Sequence, residues 1–240
     1  MNSCKNCNEP LHGNYCSHCG QPAKLRRIDR RYIIHEIASA FNADAGMLYT
    51  TKKVLLSPGE SIRRYITENR NRYVKPITFL IITSLIYTLI CNFFQIGAEE
   101  FYIQQSEIKM PTLNLVINWM IDNKGYLSII MGLVAAFPIR LFFRKYGFNL
   151  FEIFVLLCYL SGIATLIFSV FLIFQGLMHL NLIRITVLIV SIYNTWAIGQ
   201  FFDSRKAVSY IKAFLSYLLG IVIISFSITF IAILIDMVII

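Results

Sequence analysis

Four of the six cysteines crowd into the first turns of the chain as Cys4-x-x-Cys7 and Cys16-x-x-Cys19, with Gly20 directly after the second pair. Two thiolates separated by two residues sit on one tight turn, and two such turns can close tetrahedrally on a single metal ion at about 2.3 Å per sulfur. Gly13 and Gly20 supply the backbone freedom such turns need. The spacer between the pairs is shorter than the roughly 15–20 residues of larger sites and suits a minimal zinc ribbon. Cys4, Cys7, Cys16 and Cys19 are therefore read as ligands of a structural Zn2+, since four protein ligands leave no open position for a substrate. The other two chemistries for this pattern are a disulfide pair and a redox CxxC. A reducing cytosol disfavours the first, and the second requires a βαβ surround for which so short a head has no room. His12 and His18 read as exposed polar residues of the knuckle, and Cys91 and Cys158, inside apolar runs, as packing residues.

The remaining chain must position this head, and its composition says how. Of the 240 residues, 57% are hydrophobic and 15% charged, against about 25% charged in a typical soluble domain. That excess of apolar surface calls for lipid. Nearly everything polar precedes Lys75, which divides the chain into a zinc-ribbon knuckle (1–22), a cytosolic basic amphipathic segment (23–75) and a membrane domain (76–240). A hydrocarbon core of about 30 Å takes about 20 helical residues to cross. Five apolar blocks meet that length, at about 77–96, 126–143, 151–174, 182–202 and 213–235. The fold class expected is an all-α integral membrane protein, with about five transmembrane helices and a small N-terminal zinc-ribbon knuckle. The first residues lack an apolar core of signal-peptide type, so the first span is expected to direct insertion.

Charge sets the orientation. All of the 22 lysines and arginines except Lys109, Lys124 and Arg184 fall before the first span or in and around the loops after the second and fourth. Such residues favour the cytosolic side. The expected location is the cell inner membrane, multi-pass, with the N-terminus cytosolic and the C-terminus outside. Most of the net charge of +9 is accounted for by this bias, and with no nucleic-acid reader motif present a nucleic-acid partner is disfavoured. Ahead of the first span, Ile33, Ile34, Ile37 and Phe41 recur at helical spacing. Ser57-Pro58-Gly59-Glu60 then reads as a capping box opening a second helix, which runs through Ile62, Tyr65 and Ile66 toward Arg72. That helix delivers Arg63, Arg64, Arg70, Arg72 and Lys75 to the membrane surface as a collar for lipid headgroups or a partner, each charge gaining about 1 kcal/mol beside anionic lipid. The plainer reading is that these charges only fix topology.

The stretches CKNCNEPLHGNYCSHCGQ, YIIHEIASAFNADAGMLYTTKKVLLSPGESIRRYI and NRNRYVKPITFLIITSLIY together resemble the bacterial domain-of-unknown-function 3667 family. In that family a zinc-ribbon head precedes a Pro-Gly, Tyr-Ile, Arg-x-Arg-Tyr and Lys-Pro pattern at the start of a membrane region. The matching positions are Pro58, Gly59, Tyr65, Ile66, Arg70, Arg72, Tyr73, Lys75 and Pro76. The resemblance covers roughly the first 90 residues, and Glu68-Asn69 stands where relatives often carry a Gly. It implies an architecture and a location but no reaction.

The spans carry no acidic, basic or histidine residue at their middles, which argues against ion-coupled transport. Glu152, at the start of the third span near Asn149, Arg140, Arg144 and Lys145, reads as a structural ion pair more readily than as a site. Ser161, Thr165 and Ser169 in the third span and Ser191, Thr195 and Gly199 in the fourth recur every four residues. Small residues so spaced let helices approach, so these spans are expected to pack against each other or against a second copy in a homo-oligomer. After Pro111, the residues Leu113, Val116, Ile117 and Met120 suggest a helix lying along the outer surface. No GxSxG, HExxH or P-loop pattern occurs. The reading favoured is a non-enzymatic adaptor or assembly factor, whose zinc ribbon and basic collar bind a protein partner or an anionic lipid surface. The alternative is a transporter of a small neutral solute or lipid, in which Asn92 and Asn194 would line the path.

Overall fold

The computed structural model describes residues 3–11, 13–23, 46–70, 72–94, 124–178 and 180–239. The expected helices around Ile33–Phe41 and after Pro111 lie outside these residues. Among the described residues, seven α-helices follow the head: α1 (Met47–Leu56), α2 (Pro58–Thr67), α3 (Pro76–Phe94), α4 (Lys124–Phe142), α5 (Leu150–Met178), α6 (Ile183–Asp203) and α7 (Ala207–Ile239). Four of them, α3, α5, α6 and α7, are long and apolar enough to cross a membrane. α4 stands where the second span is expected, and its described apolar part, Gly132–Phe142, is shorter. This is a multi-pass membrane protein whose described residues are mostly helical.

α5 is the axis of the bundle. α3 packs most extensively against it, and α4, α6, α1 and α2 also touch it. α7 packs on α4 and α6 and leaves most of its surface outward. A Cβ placed on Gly162 would meet the Phe79 ring at 2.5 Å, and one on Gly176 the Phe94 ring at 2.3 Å. Early α3 thus faces mid α5 and late α3 faces late α5, so the two helices run parallel. The chain between them must therefore return to its starting end, and α4 leads back there. The third and fourth expected spans, α5 and α6, pack on each other, and the hydroxyls of the stripe Ser161, Thr165 and Ser169 bond within their own helix. Thr165 and Ser169 donate to the carbonyls of Ser161 and Thr165 on their own helix, at 2.8 and 2.9 Å. Ser191 likewise donates to Val187. Glycine makes the close approaches: Gly162 and Gly176 admit α3, and Gly199, a residue of the expected stripe in α6, admits the Tyr210 ring of α7.

With 29 residues, α5 is about 43 Å long at 1.5 Å per residue, well beyond the roughly 30 Å of a hydrocarbon core. Its excess lies at the N-terminal end, where α1 and α2 pack. Val54, Ile62, Tyr65 and Ile66 are buried there in the same apolar cluster as Ile153, Leu156, Tyr159 and Phe201. Part of the segment expected to lie on the membrane surface is thus bundle core. Its buried polar groups are satisfied across elements, as burial requires. The Tyr159 hydroxyl donates to the Val74 carbonyl at 2.6 Å, the Tyr193 hydroxyl to the Val54 carbonyl at 2.9 Å, and the Val74 N–H to Thr50 Oγ1 at 2.9 Å.

Helix ends differ in detail from the sequence expectation. Ser57 and Pro58 do open α2, but the Ser57 hydroxyl makes no cap bond and turns back toward the Lys53 carbonyl. Glu60 pairs with Arg64 at 2.5 Å, and α2 stops at Thr67. A reciprocal capping box forms at α5 instead: the Asn149 N–H donates to Glu152 Oε2 and the Glu152 N–H to Asn149 Oδ1, both at 2.8 Å. The buried Glu152 is accordingly a helix-start residue.

Candidate metal centre and its seat on the bundle

The head is two copies of one turn. Ser3, Cys4, Cys7, Asn8, Glu9 and Pro10 correspond to Tyr15, Cys16, Cys19, Gly20, Gln21 and Pro22. In the first copy the Asn8 N–H donates to the Cys4 carbonyl at 2.9 Å and the Cys4 N–H to the Glu9 carbonyl at 2.8 Å. In the second, the Gly20 N–H donates to Cys16 and the Cys16 N–H to Gln21 at the same two distances. Each copy is closed by a bridge, Ser3 to Pro10 and Tyr15 to Pro22. Asn8 and Gly20 occupy equivalent left-handed positions, at φ 63° and 71°. Asparagine and glycine are the residues that tolerate this region best. The repeat is visible in the sequence as SCKNCNEP and YCSHCGQP, although the cysteine spacing alone does not reveal it.

Placed face to face, the turns bring the four sulfurs within 4.8 Å of one another. Three of the separations are 3.6 Å (Cys4–Cys19), 3.5 Å (Cys7–Cys16) and 3.5 Å (Cys7–Cys19). A disulfide needs about 2.05 Å, and all four cysteines are free thiols. A tetrahedron with metal–sulfur bonds of about 2.3 Å has edges of about 3.8 Å, close to what the thiols already span. The four cysteines fit a metal ion. Backbone N–H groups of Cys7 and Asn6 aim at the Cys4 sulfur and hold its thiol down at about 6. Cys7 goes the other way: the Glu9 N–H lowers it, but burial and the crowding Cys16, Cys19 and Cys4 sulfurs outweigh that and raise it to about 12. Cys4 is therefore the sulfur readier to meet a cation as a thiolate, and Cys7 must give up its proton to do so. Among the described residues of the head only Cys4, Cys16 and Gln21 are buried, too little apolar surface to hold a fold without a cross-link.

The head sits on the C-terminal end of α2. Gln21 Nε2 donates to the Glu68 carbonyl at 2.6 Å, and Asn69 Nδ2 donates to Asn6 Oδ1. A cleft of about 210 Å³ beside the contact is lined by Cys4, Lys5, Leu11, Pro22, Thr67 and Glu68. α2 is in turn seated on α6. The Gly59 N–H donates to Gln200 Oε1 at 2.8 Å, and a Cβ on Gly59 would fall 2.4 Å from the Gln200 carbonyl carbon and 2.5 Å from the Phe201 nitrogen. The expected collar residues are largely engaged in this framework. Arg63 Nη2 donates to the carbonyls of Phe201 and Phe202 at the end of α6, at 2.7 Å for the latter. Arg70 reaches back to the Tyr65 and Ile66 carbonyls, and Arg72 lies 5.2 Å from the Tyr49 ring centre. Arg64 holds Glu60 on an exposed face, and Lys75 is exposed at the entry to α3.

Head, seat and apolar bundle together define a multi-pass membrane protein with a four-cysteine cluster able to hold a metal. Residues 44–88 match the model of a family described as a protein of unknown function (DUF3667), the family the sequence resembles. The matched stretch contains α1, α2 and the first part of α3. No curated protein and no solved structure matches the chain.

Proposed function

We propose that the protein is a non-enzymatic membrane adaptor or assembly factor whose cytosolic head carries a structural Zn2+ and presents a rigid surface to a protein partner. The observation that carries this reading is a site closed by four sulfurs, beside which the Tyr15 ring stands 68% exposed. Four thiolates suit zinc and leave it no position for substrate. Tyrosine on a preorganised turn is a favourable contact residue, because it offers a large area at small entropic cost. The knuckle's role is then to hold Tyr15, Ser17 and His18 outward, all exposed, while Gln21 and Asn6 fix it to the membrane domain.

The test is crosslinking and affinity recovery from native membranes with the intact chain, a Tyr15→Ala variant, and one with all four head cysteines changed to serine. The reading requires one protein species to be recovered with the intact chain and lost with both variants, while Tyr15→Ala retains its metal and inserts normally. Identical recovery from all three chains would refute it. A second reading, passage of a neutral solute, draws on Asn194, whose side-chain oxygen is buried in α6 without a hydrogen-bond partner among the described residues. Flux in reconstituted vesicles that falls with Asn194→Leu and persists without the head would favour it.

A further inference from the structure

The cations left uncommitted at this end of the bundle are not those of α2. Among the described residues, Arg205 has no hydrogen bond or ion pair to its guanidinium, only one from its backbone N–H to Asp203 Oδ1 at 3.1 Å. It sits on the turn between α6 and α7, at a cleft of about 600 Å³ lined by Arg63, Tyr146, Gln200, Asp203, Arg205 and Lys206 among others. That volume is in the range of small-ligand sites. The one carboxylate in the lining is already balanced, because Asp203 accepts from the Lys206 ammonium at 2.9 Å as well as from the Arg205 N–H.

Helix ends would ordinarily make such a place ambiguous. The C-terminus of α6 carries partial negative charge and would repel an anion. Arg63 covers it by donating to the Phe201 and Phe202 carbonyls, so the negative end is quenched while the positive start of α7 at Ala207 remains beside the cleft. With Arg63, Arg205 and Lys206 against Asp203, the lining is net cationic. Beyond Lys206, outside the cleft lining, Val208, Ile211, Leu215, Leu218 and Val222 recur at helical spacing along α7, each at least 41% exposed.

We propose that this cleft binds a phosphate-bearing ligand, held by Arg205 and Lys206. Guanidinium and ammonium groups are the usual phosphate partners, the first as a planar fork and the second as a point charge. The polar cleft, set at the end of two membrane helices and followed along α7 by exposed apolar residues from Val208 onward, matches the division between a phospholipid's headgroup and its chains. A free phosphate would use the same cations and ignore the apolar residues. The site does not depend on the metal head or on a protein partner, so either proposal can fail without the other.

The full chain in an uncharged detergent is titrated calorimetrically with dihexanoyl phosphatidylglycerol, dihexanoyl phosphatidylcholine and sodium phosphate at constant ionic strength. The expected result is saturable binding of the phosphatidylglycerol, weakened about tenfold or more in an Arg205→Ala, Lys206→Ala double variant and within about twofold of the parent in Lys52→Ala. Both cleft side chains are exposed, so the double variant should fold, and an unchanged thermal midpoint verifies it. If sodium phosphate binds as tightly as the lipid and is lost in the double variant, the site stands and its ligand is a soluble phosphate. If neither anion binds saturably, or if binding survives in the double variant, the proposal is overturned.

Discussion

At Gly59 the absence of one carbon sets how closely α2 approaches α6. The nearest atoms to a built Cβ belong to the Gln200 and Phe201 backbone, which cannot swing aside as a side chain would. Gly59→Ala is expected to destabilise the protein by about 1–3 kcal/mol, read as a lowered thermal midpoint in detergent. Gly13→Ala, with nothing within 4 Å of its Cβ, should leave the midpoint unchanged, and equal effects from the two would refute the close-contact account. Legibility at this scale was uneven for a physical reason. Cys4, Cys7, Cys16 and Cys19 are readable because metal ligation needs fixed residue types at fixed local spacing. Arg63 is not, because its acceptors are backbone carbonyls at Phe201 and Phe202, and a carbonyl has no residue type to recognise. The same holds for Gly59, whose need to be small comes from a neighbour far along the chain.

At the scale of elements, apolar block length located α3, α5, α6 and α7 to within a few residues at most ends, since crossing a hydrocarbon core fixes length and composition together. α1 and α2 were harder to place. An amphipathic helix looks alike whether its apolar face meets lipid or protein, and Ile62, Tyr65 and Ile66 turn out to be core residues. That distinction predicts unequal costs along α2. Arg63→Ala should cost about 1–2 kcal/mol, since it strips hydrogen bonds from the end of α6, whereas Arg64→Ala removes only an exposed pair with Glu60 and should fall within about 0.5 kcal/mol. Denaturation midpoints of the two variants side by side decide it, and equal losses would count against the seat on α6. The start of α5 gives a companion case. Glu152→Ala loses the reciprocal bond to the Asn149 N–H and should cost about 1 kcal/mol, while Glu152→Gln keeps an acceptor oxygen and should recover most of it. A Glu152 acting as a proton carrier would instead be lost equally with Gln and Ala.

For the whole molecule, the parallel course of α3 and α5 carries a topological consequence. Both begin at the end where α1, α2 and the turns at Phe143–Phe148 and Ser204–Lys206 meet, as shown by the stacking of Phe143 on Phe202 at 3.9 Å and the approach of Phe148 to Phe201 at 4.8 Å. Lys52, Arg64, Arg144, Lys145, Arg205 and Lys206 are exposed at this end, and the connection from α5 to α6 at Leu180–Leu182 lies at the other. Lysine and arginine near span ends favour the cytosol, so the end bearing the cysteine head should be cytosolic. Single cysteines introduced at Arg144 and at Arg205, in a chain with Cys91 and Cys158 replaced by alanine, should react with an impermeant maleimide only after the membrane is opened. A cysteine at Asn181 should react in intact cells. The head cysteines provide an internal comparison, since in the presence of a chelator, which would strip any metal they hold, they should share the labelling of positions 144 and 205. Labelling of Arg205→Cys from outside, with Arg144→Cys protected, would put the two turns on opposite faces, and neither the shared aromatic contact nor the parallel pairing of α3 and α5 could then describe the protein in its membrane.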